Sequence, residues 1–186
     1  MADDDNDDII PGERFTPEPE GGDAAGPGAA PEAPLMINGQ YIKDLSFEAP
    51  AAPEIFALMQ SEVPAIEVNI DVEANAKGEN VFEVVLTVRA EAKVKDQLAY
   101  ICEVIYAGLF TVNVPAENLG PILLIECPLI IFPFMRRVVA DLTGDGGFAP
   151  LMLAPIDFAQ LYQQRVLAAH QAQHAANDAE SGNDEA

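Results

Sequence analysis

An α+β fold, a four-stranded antiparallel sheet with helices packed on one face, is what this sequence predicts. Three observations carry it. Four segments between residues 41 and 106 alternate apolar and polar side chains with period two. The pattern changes to helical spacing after about residue 117. Strands gathered first and helices after are the mark of an α+β domain.

The first strand is read at 41–48, where Leu45 and Phe47 face one way and Asp44, Ser46 and Glu48 the other. Ala49-Pro-Ala-Ala-Pro53 follows and cannot join a central ladder. Ile55, Phe56, Leu58 and Met59 then mark a long apolar loop or short helix. The clearest strand is 65–74, with Ile66, Val68, Ile70 and Val72 alternating with Glu67, Asn69, Asp71 and Glu73. A hairpin turn at 75–80 leads to a third strand, where Phe82 to Val94 alternate with Glu83, Thr87, Arg89, Glu91 and Lys93. After a turn near Asp96, the fourth strand puts Leu98, Tyr100, Cys102 and Val104 on one side and Ile101 and Glu103 on the other.

A mostly helical stretch is expected over about 117–142, cut by its prolines, with Pro133 as a first helical residue and Gly144, Gly146 and Gly147 as the stop. A last helix is expected from Pro155 to about Ala172, with Phe158, Leu161, Tyr162 and Val166 on one stripe.

Charge divides the 186 residues into three parts. Residues 1–34 hold ten acidic side chains and one base, Arg14, without periodicity or a run of large apolar groups. Such a segment cannot bury enough surface to offset the entropy of ordering it. The expected organisation is therefore a disordered acidic tail over 1–36, a folded domain over 37–170, and a second acidic tail over 171–186. The formal net charge of −22 excludes a nucleic-acid binder, which needs a basic face, and disfavours anionic membrane surfaces. Mean hydropathy is nevertheless +0.10. So apolar a domain of this size implies subunit interfaces or an exposed apolar site.

An acidic start, MADDDNDD, is opposite in sign to a signal peptide, and the apolar run 119–135 is broken by Glu126, Pro121, Pro128 and Pro133. A cytoplasmic location without membrane insertion is the expectation. Cys102 and Cys127 have no metal-ligand spacing and read as buried thiols. His170, His174 and Asp178 share a helical face, but the set lacks a third strong ligand and sits where the helix should fray, so no metal is expected. Gly144-Asp-Gly-Gly147 follows a helix and lacks the Lys-Ser/Thr of a phosphate loop. No Ser/His/Asp or Cys/His set presents itself, and neither an enzyme nor a cofactor is expected.

Five blocks then carry a resemblance. Residues 41–50 (YIKDLSFEAP), 81–88 (VFEVVLTV), Cys102-Glu103, 127–136 (CPLIIFPFMR) and 147–162 (GFAPLMLAPIDFAQLY) resemble, in order and spacing, the SecB family of protein-export chaperones. The resemblance spans about 41–166. It implies a homotetramer, built as a dimer of dimers with helices packed between the dimers. It also implies an ATP-independent chaperone that holds unfolded precursor proteins and delivers them to SecA, the motor of the export translocase. The positions matching the family's SecA-docking patch are Asp44, Glu48, Ile101 and Glu103, which strand phase alone would read as a solvated sheet face. Those matching the client groove are Ile66, Val68, Ile70, Tyr162 and Val166. Phe56, Leu58 and Met59 are added because Met and aromatic side chains adapt to many partners. Ordinary core packing is the competing reading for each. A chaperone dedicated to a toxin–antitoxin pair, an enzyme on an α+β scaffold, and an oligomeric scaffold without grooves remain as rivals.

Overall fold

The computed structural model describes residues 33–181, with side chains left undescribed at 169, 170 and 172–181. The N-terminal tail up to residue 32, and residues 182–186, lie outside the described residues.

Four long strands make one antiparallel sheet in the order β1-β4-β3-β2: β1 (Leu35–Glu48), β2 (Ala65–Gly78), β3 (Val81–Val94) and β4 (Gln97–Val112). Two tight turns join the last three strands. Each places a residue in the left-handed region, Asn80 at φ 56° and Lys95 at φ 55°. The proline-rich crossover, with the short helix α1 (Glu54–Leu58), carries the chain from β1 on one edge to β2 on the other.

β1 is longer than its alternation suggests, because its ladder shifts between Ile37 and Gly39 and again between Ile42 and Asp44. Each extra residue inverts the phase, so Ile42 and Leu45 reach the same face although three positions apart. β2 likewise runs past Ala74 to a shift between Ala76 and Gly78.

The core lies between the even-numbered residues of β3 and β4 and the helices. Val84, Leu86, Val88, Tyr100, Cys102, Val104 and Phe110 meet Cys127, Ile131, Met135 and Val139. Gly108 permits the close approach: a Cβ there would sit 2.5 Å from the Phe110 ring and 3.0 Å from Ile131.

The helical stretch is continuous, from α2 (Ala116–Pro121) through a π-helical segment (Ile122–Glu126) into α3 (Cys127–Asp145). Pro133 therefore lies inside α3 and does not open it. The wide turn falls where the Pro128 ring would crowd the Leu124 carbonyl of a regular helix, and the π segment takes up that misfit. The glycines end α3 as expected. Phe148 N–H donates to the Thr143 carbonyl at 3.1 Å and Gly147 N–H to the Gly144 carbonyl at 3.0 Å, with Gly147 at φ +86°.

The last helix, α4 (Phe158–Ser181), starts later and ends later than the sequence reading. Asp157 sets the start, its carboxylate accepting from Gln160 N–H at 2.9 Å. The end passes Ala172 because the Ala- and Gln-rich sequence that follows favours helix, so 171–181 is helical where a disordered tail was expected. At the other end, β1 begins two residues inside the expected N-terminal tail.

Candidate functional site: apolar grooves and an acidic sheet face

Residues opposite each other in an antiparallel ladder share a face, so the register assigns each candidate to a side of the sheet. Ile66, Val68 and Ile70 lie opposite Ala92, Ala90 and Val88, on the helix side. Their other neighbours are Leu151 to Ile156, the extended segment between α3 and α4. Together they line an open groove of about 410 Å³. It stays open because β2 is an edge strand and β3 offers only Ala90 and Ala92 at those positions. Ile66 remains 43% and Val68 36% exposed, and Met152 on the opposite wall 68%.

Tyr162 and Val166 line a second apolar concavity, of about 350 Å³, with Gln163 and Leu167. The structure does not bring these two residues into the β2 groove. Phe56, Leu58 and Met59 line neither. They are half-buried against the core, with the Phe56 ring 5.1 Å from that of Phe148 in a cluster that includes Phe47 and Tyr100. The crossover needs anchoring where it leaves β1, and this cluster supplies it.

The groove wall at 151–156 was not singled out in the sequence. Its signal was an apolar Leu-Met-Leu run between Pro150 and Pro155, too short and too proline-bound for a helix.

A third apolar surface joins the helix side of β1 to the outer side of α3. Ile42, Tyr106, Phe134 and Val138, together with the ion-paired Arg137 and Asp141, line a shallow depression there. Leu45, Leu129 and Ile130 are also exposed.

The opposite sheet face is polar. Asp44, Ser46 and Glu48 pair with Ile105, Glu103 and Ile101, so Asp44, Glu48, Ile101 and Glu103 are brought together on this outer face. The same rows continue across β3 and β2 as Thr87–Asp71, Arg89–Asn69 and Glu91–Glu67. Asp44 and Glu48 are exposed and Ile101 is half-buried among the charges. Glu103 is partly neutralised, with Arg89 3.2 Å away. Glu91 is held below the usual carboxylate range, first by its hydrogen bond from Lys93 and then by that charge.

Towards the other end of this face lies a cluster that sequence reading missed. Glu83 is only 3% exposed although no helix covers it. Tyr41 O–H donates to it at 2.5 Å, and Lys43 and Lys77 each approach within 3.0 Å. These contacts hold its carboxyl down at about 2, the Tyr41 hydrogen bond contributing most and the Lys43 hydrogen bond next. Alternation alone makes Glu83 a solvated residue. The bulges that aim Lys43 and Lys77 at it show in the sequence only as breaks in the alternation, which do not name a partner.

Both thiols are buried, Cys102 pushed up to about 11 by desolvation and Cys127 to about 12 by desolvation and then Glu126. Among the described residues no group of three His, Cys, Asp or Glu could hold a metal, and no helix is long and apolar enough to cross a membrane. The His170, His174 and Asp178 side chains lie outside the described ones.

An open, largely aliphatic groove along an edge strand is a surface that can accept an extended apolar chain segment. Residues 28–169 match the SecB family model, described as preprotein translocase subunit SecB. The protein-export protein SecB of Rhodospirillum rubrum is 53% identical over 157 residues, covering 84% of this chain and 96% of the relative. That of Maricaulis maris is 54% identical over 140 residues, covering 74% and 81%. A SecB-like chaperone of Mycobacterium tuberculosis, solved with a peptide from an antitoxin, shares the fold with a TM-score of 0.56 at 17% identity, over 66% of this chain and 91% of that one. The chain belongs to the SecB family and is a chaperone of protein export.

Proposed function

We propose that this chain holds unfolded precursor proteins in its apolar grooves without nucleotide, and passes them to SecA through the acidic outer face. The observation that carries the reading is the groove of Ile66, Val68 and Ile70 against Leu151 to Ile156, open along an edge strand in a member of an export-chaperone family. One groove grips a short segment weakly. A client long enough to engage several is held tightly by effective concentration, and one that folds first buries its apolar segments and escapes. Tyr162 and Val166 extend the apolar surface as a second station. Phe56, Leu58 and Met59 pack half-buried against the core at the crossover, beside the holding surface and outside the β2 groove.

The exposed apolar surface of β1 and α3 supports a homotetramer, a dimer of dimers, since a face of this kind is ordinarily covered by another chain. Asp44, Glu48 and Glu103 around Ile101 suit a basic, partly apolar partner surface, which is the docking reading for SecA. The working location is the cytoplasm, where precursors await export, and no catalysis is assigned to the chain.

A circuit dedicated to an antitoxin is the weaker alternative. The neighbour that binds such a peptide is 17% identical, whereas the export proteins are above 50%. The test is Glu103→Lys, with SecA affinity and client holding measured side by side. SecA binding should fall on the order of tenfold or more while client holding and the melting curve stay unchanged. Unchanged SecA affinity would remove the docking assignment.

A further inference from the structure

The half of the outer face that carries Asp44 also carries Glu48, Glu67, Asp71, Glu91 and Glu103 in adjacent rows of the ladder. Lys43 is the immediate neighbour of Asp44, yet its ammonium is turned away from that half. The bulge between Ile42 and Asp44 leaves Lys43 unpaired in the ladder and free to lean along the strand. It crosses β4 towards Glu83 on β3, where its Nζ lies 3.0 Å from both carboxylate oxygens. On β4 between them the register places Ala107, opposite Tyr41 and Val85, small and fully covered, so no bulky side chain stands at that position. Lys77 reaches the same carboxylate from the bulge in β2, and Tyr41 donates its hydroxyl. One nearly buried acid thus engages two cations that a four-carbon stem would otherwise let range over the face.

We propose that Glu83 is a positioning residue for partner docking: by holding the Lys43 ammonium at its own carboxylate, it keeps that charge off Asp44 and keeps the docking half acidic. This rests on the docking reading above. A lysine released beside Asp44 would pair with it or with the incoming partner's acids, and would repel its bases. Glu83 is close to sealed and offers the partner no surface, so it acts through Lys43 and does not touch SecA.

The experiment titrates purified SecA against four full-length forms at low and high salt: wild type, Glu83→Gln, Lys43→Gln, and the two changes together. Glu83→Gln should weaken binding on the order of threefold to tenfold at low salt and much less at high salt. Adding Lys43→Gln should restore affinity to within about twofold, because the stray charge is gone, and Lys43→Gln alone should change little. A structural lesion at Glu83 would persist in the double variant, so failure of Lys43→Gln to rescue overturns the proposal. So does wild-type affinity in Glu83→Gln. A fifth form, Asp44→Asn with Glu48→Gln and Glu103→Gln, separates the two levels. If it binds SecA like wild type, the docking reading falls and this proposal with it. If it loses binding while Glu83→Gln does not, only the role of Glu83 falls.

Discussion

Truncating Ile66 and Val68 together to alanine should weaken groove binding by an amount the structure sets. Full burial of such a side chain is worth about 1.5–3 kcal/mol. Ile66 is 43% and Val68 36% exposed in the free chain, so only that remaining fraction is available to a client. The two truncations should therefore remove roughly 1–2 kcal/mol of binding at one groove, a loss of about five- to thirtyfold. Fold stability should fall less than for core truncations, since both residues lie on the edge strand and are already partly solvated. The assay is fluorescence anisotropy of a labelled, unfolded apolar peptide with the full-length chain, beside a thermal melt. Val63→Ala is the control, because Val63 is 91% exposed and lies outside the groove lining. Affinity within twofold of wild type for the double truncation, or an equal loss for Val63→Ala, would refute the reasoning.

Glu83 should make stability acid-sensitive. Its folded value near 2 lies below its ordinary 4.5, so its contribution is present above 4.5 and is lost as pH falls towards 2. The shift corresponds to at most about 3.5 kcal/mol, taken as about 2 because only its own partners screen the carboxyl from solvent. The difference in urea midpoint between wild type and Glu83→Gln should be clearly smaller at pH 3 than at pH 6, without vanishing, because the loss completes only near pH 2; a constant difference would contradict it. Gly147→Ala should cost about 1–2 kcal/mol, because φ +86° strains an L residue and the new Cβ would stand 3.2 Å from the Phe56 ring. A melting temperature unchanged in that variant would count against the role given to the turn. Cys102 and Cys127 should resist an aromatic disulfide reagent at pH 8 and react together on unfolding, since burial raises both thiols to about 11 and 12. Rapid native-state labelling of either would contradict their placement.

What the sequence disclosed, and what it withheld, follows from where its periods hold. Along most of β3 and β4 the alternation holds, and the structure places Tyr100, Ile101, Cys102, Glu103 and Val104 on the faces expected; Leu98 is the exception, because the ladder shifts at Ala99 and pairs Leu98 with Lys93 on the outer face. β1 was legible only from residue 41, and its facing only from Asp44, because the bulges at Ile37/Gly39 and Ile42/Asp44 invert its phase and hide its first residues among apparent irregularities. The same bulges concealed the Lys43–Glu83 pair, whose partners are 40 residues apart. The start of α4 was misjudged from Pro155, although Asp157-x-x-Gln160 carries the spacing of a capped N-terminus. For the grooves, the family resemblance pointed to Ile66, Val68 and Ile70, whereas side-chain type alone added Phe56, Leu58 and Met59, which the structure packs half-buried beside Phe148 and outside that groove. Only tertiary packing tells a half-buried anchor from a half-open wall.

The central claim, that the chain holds unfolded precursors, is tested most directly by titrating it into a slow-folding, unfolded precursor, following refolding and measuring the mass of the complex. Suppression of refolding in the absence of ATP, by a particle containing four copies of this chain, is the predicted result. Refolding at the unassisted rate with a saturating excess of the chain would contradict the account.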